Sequence, residues 1–257
     1  MSDIVFKGAF GKVNGKYGHS KSLDAPAVLI VENMKEKNSR KQVDFSGIAD
    51  IVFDIFIENN FSALRFRLNE YSNVDKTEVE NTNLLDMTAA LDWLHNKNIE
   101  CRSFWICGID TSVAPVLQLV MRRPDLENYA IFSPDLRKCD LSFIIPCASS
   151  GLIVRATDDL KFTEDECIAL QEKLITKSDS KVKYLSLEGS DRNFKGSIDE
   201  LKVELNDYLK EKTAEDRRNF KHVTAGKRRR RKKKAMDQEE EKIIYINPIK
   251  SLDIDDI

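Results

Sequence analysis

Apolar residues within positions 1–211 follow two patterns, and each pattern predicts a different element. Short apolar runs between turn residues are typical of buried strands, and Ala27–Val31 is a continuous one. Elsewhere apolar residues recur every three or four positions, as Ile48, Val52 and Phe56 do, which predicts an amphipathic helix over residues 43–59. Further strands are predicted at Phe61–Phe66, Cys101–Cys107, Asn128–Phe132, Gly151–Arg155 and Lys181–Leu187.

The same spacing predicts four more helices. Two cover residues 80–96 and 112–122, and a third begins at Thr163, where Glu166 completes a capping box. Glycines flanked by Ile4–Lys7 and Lys12–Tyr17 predict an N-terminal hairpin. Strand and helix alternate, so we expect an α/β fold with a mainly parallel sheet and helices on both faces. The last helix faces inward with Leu201, Leu205, Tyr208 and Leu209.

Charge divides the chain into two parts although its formal net charge is only -2. Residues 1–211 carry the alternating pattern and are acidic by composition. Residues 212–234 are strongly basic, and residues 235–257 are acidic and apolar. Because blocks of like charge repel and bury no core, we predict one α/β domain over 1–211 and a largely disordered, charged tail over 212–257.

Composition narrows the cellular setting and the cofactors. The five cysteines form no C-x-x-C pair and the acidic start Met1–Ile4 resembles no secretory signal, which predicts a reduced, cytoplasmic protein. No apolar run approaches the ~20 residues of a membrane-spanning helix, so no transmembrane segment is expected. Zinc-type spacing and dinucleotide-binding glycine motifs are both missing from the sequence, so we expect neither a metal nor a cofactor.

A predicted strand runs directly into a sharp turn and a helix at Trp105–Ser112. The sequence Gly108–Ser112 has the frame of the G-x-S-x-G turn that presents a nucleophilic serine. Asp110 stands at the serine position, and Ser112 stands at the position of the closing glycine. The frame of a hydrolytic site is therefore kept, while its usual nucleophile is not.

Five further segments occur in the order and spacing of a known group of proteins. On these segments, residues 1–211 resemble a bacterial family of small, lidless, predicted α/β-hydrolases related in fold to dienelactone hydrolases. The resemblance implies the α/β-hydrolase fold without a lid domain and, for the family, hydrolysis of ester-type substrates. The tail after residue 211 has no counterpart in it. The matching segments are Ala63–Arg67, Ala89–Leu94, Gln118–Pro124, Pro146–Ile153 and Lys195–Leu201.

The resemblance also assigns positions to the catalytic groups of the family, and most of them are altered. The nucleophile position is Asp110, and the acid position, in Arg155–Asp159, keeps its carboxylate as Asp159. The histidine position falls on Arg192. The loop that would help to form the oxyanion hole falls on Glu32–Lys37, which contains charges and no glycine.

These changes leave three interpretations open. Arg192 cannot act as a base because a guanidinium stays charged, and none of His19, His95 and His222 falls where a base is needed. Arg192 is expected to pair with Asp110 and Asp159 and to replace the triad structurally. The altered cleft could instead bind a small anion or a peptide acid, or Asp110 could act as nucleophile or base with Asp159 in an unusual hydrolase.

The tail predicts partners of its own. Its unbroken basic run favours polyanions through counterion release, so residues 217–234 are predicted to contact RNA, DNA or an anionic membrane surface without sequence specificity. The apolar segment 243–249 could dock on a protein partner or on the domain. Alternatively, the acidic segments could fold back and mask the cations. The basic run consists of Lys227, Arg228, Arg229, Arg230, Arg231, Lys232, Lys233 and Lys234.

Overall fold

One sheet organises the domain in the computed structural model, which describes residues 1–9, 11–32, 46–68, 76–137, 139–175 and 181–216. Within these ranges eight strands pair in the order β1-β2-β4-β3-β5-β6-β7-β8. The strands are β1 (Ser2–Gly8), β2 (Gly11–Gly18), β3 (Ala27–Glu32), β4 (Ser62–Arg67), β5 (Phe104–Ile109), β6 (Leu126–Phe132), β7 (Ser150–Ala156) and β8 (Val182–Leu187).

Helices separate most of these strands along the chain. A 3-10 turn, Asp110–Ser112, lies between β5 and the helix that follows it. The helices are α1 (Ser46–Glu58), α2 (Lys76–Lys97), α3 (Val113–Arg122), α4 (Glu164–Leu174) and α5 (198–216).

Strand direction confirms the predicted α/β architecture. The N-terminal hairpin of β1 and β2 is antiparallel, and β2 also runs antiparallel to β4. From β4 to β8 all neighbours are parallel. Parallel strands end at the same edge of the sheet, so the segments that follow β5, β6, β7 and β8 are brought together there.

The hydrophobic core lies on both faces of the sheet, as the continuous apolar run of β3 predicts. Helices α2, α3 and α4 cover one face, and α1 and α5 cover the other. Gly108 in β5 allows α3 to approach closely, because a Cβ there would lie 3.1 Å from the Val116 side chain. The capping box at Thr163 is confirmed, with the Thr163 N–H donating to the Glu166 carboxylate at 2.7 Å.

Several predicted boundaries were wrong by a few residues. The strand predicted at Cys101–Cys107 is Phe104–Ile109, because Cys101 closes a turn by donating its N–H to the Asn98 carbonyl at 3.0 Å. The helix predicted over 80–96 is Lys76–Lys97, and the 3-10 turn delays the start of the helix predicted at 112 to Val113. Residues 43–45 lie outside the described residues.

The last described helix extends a few residues beyond the predicted end of the domain. Contacts group Met1–Thr213 as one compact unit, and α5 itself continues to residue 216. Lys212, just past the predicted end of the domain, is buried. The basic run 227–234 and the segment 243–249 lie outside the described residues. No helix of the described ranges has the length and apolar character needed to cross a membrane.

Candidate functional site

The turn after β5 holds Asp110 in a strained conformation at the carboxyl edge of the sheet. Its φ is 57°, in the left-handed region that aspartate tolerates better than most residues. The residue is only 4% exposed. A sharp strand-to-helix turn with a polar residue at its apex is the geometry of a nucleophile elbow.

The hydroxyl of Ser112, the only serine in this turn, makes hydrogen bonds that stabilise the turn. Its hydroxyl accepts the N–H of Ile109 at 2.7 Å and lies 2.8 Å from the Val31 carbonyl, to which it can donate. The residue is completely buried. Ser112 therefore ties the turn to the neighbouring strand β3, and this environment does not suit a nucleophile.

Asp159 is carried by the turn that follows β7. Its carboxylate accepts the N–H of Lys161 at 2.9 Å. Arg155 braces the same turn from within β7, since its guanidinium donates to the carbonyl of Phe162 at 2.7 Å and to that of Asp159 at 3.3 Å. The acid position is thus fixed by backbone and side-chain hydrogen bonds together.

Arg192 lies in the loop between β8 and α5, which is held on both sides of it. Ser190 donates its hydroxyl to the Leu187 carbonyl at 2.9 Å. Asp191 accepts the N–H groups of Asn193 and Lys195 at 2.9 and 3.1 Å. These bonds fix the backbone on either side of Arg192.

The guanidinium of Arg192 bridges the two carboxylates. Nη1 donates to both oxygens of Asp159, at 2.7 and 2.5 Å, and Nη2 donates to Asp110 Oδ1 at 2.5 Å. The expected pairing of these three side chains is therefore present. All three residues are buried, with exposures of 8% or less. We call Asp110, Asp159 and Arg192 the bridged cluster.

Ser133 is a member of this site that the sequence analysis missed. Its carbonyl accepts Nη2 of Arg192 at 2.6 Å, and its hydroxyl donates to the Arg192 carbonyl at 2.7 Å. Ser133 directly follows β6, the strand beside β5, so its place in the sheet order was the signal that could have revealed it. Its φ of 44° shows that the backbone bends sharply there as well.

The rim of the site carries a second, more exposed set of charges. The N–H of Asp135 donates to the Asp110 carbonyl at 3.3 Å, and its carboxylate pairs with Arg137 at 3.1 Å and Lys161 at 3.3 Å. Burial acts to raise the pKa of Asp135, but these two cations hold it below its usual range. Within the described residues, no group of histidine, cysteine or carboxylate side chains could hold a metal ion.

The two described histidines lie at the opposite edge of the sheet. His19 Nδ1 is 2.9 Å from the Tyr17 hydroxyl and 3.5 Å from that of Ser62, the first residue of β4. His95 stacks on Phe104, the first residue of β5, with ring centroids 3.6 Å apart. A strand of this length separates the two edges by roughly 17 Å, so neither imidazole reaches Asp110. His222 lies outside the described residues.

The predicted oxyanion segment is only partly described, because residues 33–37 lie outside the described ranges. Glu32, its first residue, is buried and pairs with Arg65 and with Arg67. Arg65 also pairs with Asp50 of α1. These ion pairs tie β3, β4 and α1 together, and they were not foreseen from the sequence.

Comparison with known proteins gives relatives that share this architecture. An uncharacterised protein of Rickettsia prowazekii (strain Madrid E) is 29% identical over 219 residues, which cover 81% of this chain and 89% of that protein. A solved structure from Agrobacterium tumefaciens, of unknown function and described as a candidate α/β hydrolase, is 28% identical with a TM-score of 0.72. The match covers 83% of this chain and 97% of the chain from Agrobacterium tumefaciens.

A third relative lacks a lid. The α/β serine hydrolase without lid from Xanthomonas campestris has a TM-score of 0.64 at 12% identity, over 82% of this chain and 94% of that one. The described domain is a small, lidless α/β-hydrolase fold. No family model matches the chain. In α/β-hydrolases the triad follows the chain order nucleophile, acid, histidine, and Asp110, Asp159 and Arg192 occur here in that order.

Proposed function

We propose that this chain is a non-catalytic α/β-hydrolase-fold protein, a pseudoenzyme that acts as a binding module in the cytoplasm. The observation that carries this proposal is the bridging of Asp110 and Asp159 by Arg192. In a hydrolase the residue between nucleophile and acid must take up and release a proton. A guanidinium does neither near neutral pH.

The bridged cluster also lowers the reactivity of Asp110 itself. One of its carboxylate oxygens accepts a charge-assisted hydrogen bond at 2.5 Å, which stabilises the carboxylate and makes it a weaker nucleophile. An ester formed on Asp110 would still need an activated water for its hydrolysis. The described imidazoles lie at the far edge of the sheet, so neither His19 nor His95 can activate that water.

The alternative is an active hydrolase that acts on an ester-type substrate through Asp110 with Asp159. One observation favours it, namely that Asp110 keeps the left-handed backbone conformation at the apex of the turn. Strained residues of this kind cluster at functional sites. If Arg192 has replaced the triad structurally, the left-handed conformation of Asp110 is explained as a feature that the fold has retained from a catalytic ancestor.

An ester hydrolysis assay separates the two proposals. Purified full-length protein is tested with p-nitrophenyl acetate and butyrate beside Asp110→Ala and Asp125→Ala. The second variant alters a half-buried carboxylate at the opposite edge of the sheet. For a pseudoenzyme we expect the same background rate in all three proteins. Turnover in the wild type that Asp125→Ala keeps and Asp110→Ala loses would establish the hydrolase instead.

The binding partner proposed for the tail is a polyanion, because residues 227–234 are eight consecutive cations. Release of condensed counterions would make the affinity for single-stranded RNA fall with salt, with a logarithmic slope of up to about -5.6 if all eight cations engage phosphates. Aromatic residues are absent from this run in the sequence, which argues against stacking on particular bases.

Fluorescence anisotropy with a labelled 20-nucleotide oligouridine tests this proposal on the full chain. The matched variant replaces all eight cations with glutamine, and a third protein carries Glu239–Glu241 changed to glutamine. We expect the first variant to lose binding at low salt and the second to bind more tightly, because the acidic residues compete for the cations. Equal binding by the wild type and the first variant would exclude the tail. Vesicles that contain anionic lipid test binding to a membrane surface with the same three proteins.

A further inference from the structure

A cavity of about 430 Å³ lies beside the turn of Asp110, on the sheet face that α2 and α3 cover. Its walls come from the end of β4, from α2, from the start of α3 and from the segment after β6. Pockets of about 300–1,000 Å³ are the usual size for small-molecule sites in proteins. None of the residues of the bridged cluster belongs to its described lining.

The apolar part of the wall is continuous with the hydrophobic core. Leu68 and Ala114 belong to the core cluster of this face, and Phe143 packs against that cluster. Pro115 adds a rigid ring from the first turn of α3. An aromatic or aliphatic body placed here would be shielded from water on several sides.

The polar part of the wall consists of hydrogen-bonding groups and one charge. Thr111, Asn83 and Gln118 place hydroxyl and amide groups in the lining. Within the described residues, the side chains of Thr111 and Gln118 make no hydrogen bond to protein, so these donors and acceptors are open to a ligand. Asp140 is the one charged residue of the described lining. A carboxylate there opposes anions and leaves neutral ligands unaffected.

We infer that this cavity is a binding site for an uncharged, mainly apolar small molecule that carries an aromatic ring and a hydrogen-bonding hydroxyl or carbonyl group. The ring would lie against Leu68, Pro115 and Phe143, and its polar group would reach Thr111 or Gln118. The inference does not depend on whether Asp110 is catalytic, because it concerns binding without a chemical step.

Binding of 1-naphthol to the full-length protein tests this inference, since the molecule is a neutral fluorescent aromatic with one hydroxyl. We expect saturable 1:1 binding with a Kd between about 0.1 and 1 mM, the range that its eleven heavy atoms allow. Nitrogen-15 spectra should show the largest shifts at the backbone of Leu68, Ala114 and Phe143. The anion 1-naphthalenesulfonate should bind up to about fivefold more weakly, because Asp140 is exposed to solvent, and Asp140→Asn should narrow that difference.

Two variants make the result specific to this cavity. Gln118→Phe places a ring into the space from a half-buried position on α3 and should weaken 1-naphthol binding at least about tenfold. Ile145→Phe adds the same ring at an exposed position that lines a different groove, and should leave the affinity unchanged. Ala114→Leu is the second filling variant if Gln118→Phe is unstable.

Three outcomes would overturn the inference. The first is that binding does not saturate up to 1-naphthol concentrations of about ten times the upper Kd expected above. The second is that the nitrogen-15 chemical-shift changes cluster away from the cavity. The third is that both filling variants bind 1-naphthol as tightly as the wild type. Hydrolysis of esters in the assay described above would refute the proposed pseudoenzyme and leave this inference standing.

Discussion

Two arginines in this domain each bridge a pair of aspartates, at opposite edges of the same sheet. Arg192 joins Asp110 and Asp159 at the carboxyl edge, where the three side chains are 9% exposed or less. Arg123 joins Asp92 and Asp125 at the amino edge, at 3.1 and 2.8 Å, with exposures of 23%, 57% and 35%. We call the second set the open cluster, because it has the same charges as the bridged cluster but is partly exposed to solvent.

Burial, and not the number of ion pairs, decides how much each arginine contributes to the stability of the fold. Exposed ion pairs are worth about 0–1 kcal/mol because water screens them. Buried carboxylates that lose their cation leave uncompensated charge in a medium that solvates it poorly. Arg192 is therefore expected to be essential to stability, whereas Arg123 should be nearly dispensable.

The largest effect is expected for Arg192→Met. Methionine keeps much of the volume and removes the cation, so Asp110, Asp159 and the Ser133 carbonyl lose their donor together. The free energy of unfolding should fall by about 3–5 kcal/mol, whereas the matched change Arg123→Met should lower it by less than about 1 kcal/mol. Urea denaturation at pH 7.5, followed by circular dichroism, gives both values.

If Arg192→Met and Arg123→Met lowered the free energy of unfolding by similar amounts, the bridged cluster would be as well solvated as the open cluster. Its role as a structural replacement for a catalytic triad would then be untenable. If the loss in Arg192→Met exceeds the total stability of the protein, this variant will be unfolded while Arg123→Met remains folded. That result would also show that Arg192 is essential to stability and Arg123 is not.

Much of the fold was accessible from the sequence, because periodicity reports which face of each segment is buried. The order of strands and helices and the inward face of α5 were predicted on that basis, and the capping box at Thr163 was predicted from its spacing to Glu166. Boundaries such as the start of β5 at Phe104 were not, because they depend on turn hydrogen bonds that leave no periodic signal. The meeting of Asp110 with Arg192 was predicted from the resemblance, which places the two residues at the nucleophile and histidine positions of the family.

Other parts of the site depend on tertiary contacts that no local pattern encodes. The position of Ser133 directly after a predicted strand places it at this edge of the sheet, but the hydrogen bond to Arg192 is accepted by its backbone carbonyl, which any residue type would supply. The ion pairs of Glu32 and Arg65 join segments that are adjacent only in the sheet. The cavity beside Thr111 arises from the relative placement of four elements, and its size follows from packing rather than from composition.

The two carboxylates of the bridged cluster should differ in their contributions, and this gives an intermediate effect. Asp159 accepts three hydrogen bonds, two of them from Arg192, and its side chain is completely buried, whereas Asp110 accepts Nη2 of Arg192 at 2.5 Å and its side chain is 6% exposed. Asp159→Asn should lower the free energy of unfolding by roughly 1.5–3 kcal/mol. Asp110→Asn should lower it by about 1 kcal/mol or less, because Arg192 keeps both of its hydrogen bonds to the Asp159 carboxylate.

Asparagine is the suitable replacement at both positions, since it keeps the shape and also tolerates the left-handed backbone of Asp110. Asp125→Asn provides the control in the open cluster and is expected to lower stability by less than about 1 kcal/mol. If Asp110→Asn proved more damaging than Asp159→Asn, the main anchor of Arg192 would be the carboxylate of the turn and not that of the acid position.

The smallest effect is a pH dependence that belongs to the open cluster alone, because His95 Nε2 lies 3.2 Å from Asp125 while the bridged cluster contains no imidazole. Burial of its ring lowers the pKa of His95 below its usual value, although Asp125 opposes this shift. In the window below about pH 6.5 the unfolded chain then binds a proton that folded His95 does not. The contribution to stability is therefore complete above this window and is lost as the pH falls through it.

Urea midpoints measured between pH 5.5 and 7.5 test this dependence against two variants. His95→Gln should flatten the decline toward low pH, since the titrating group is removed. Asp125→Asn should steepen it, because loss of the carboxylate lowers the pKa of His95 further and widens the window. A steeper profile in His95→Gln would mean that the imidazole is stabilised when charged, and the sign assigned to burial against Phe104 would be wrong.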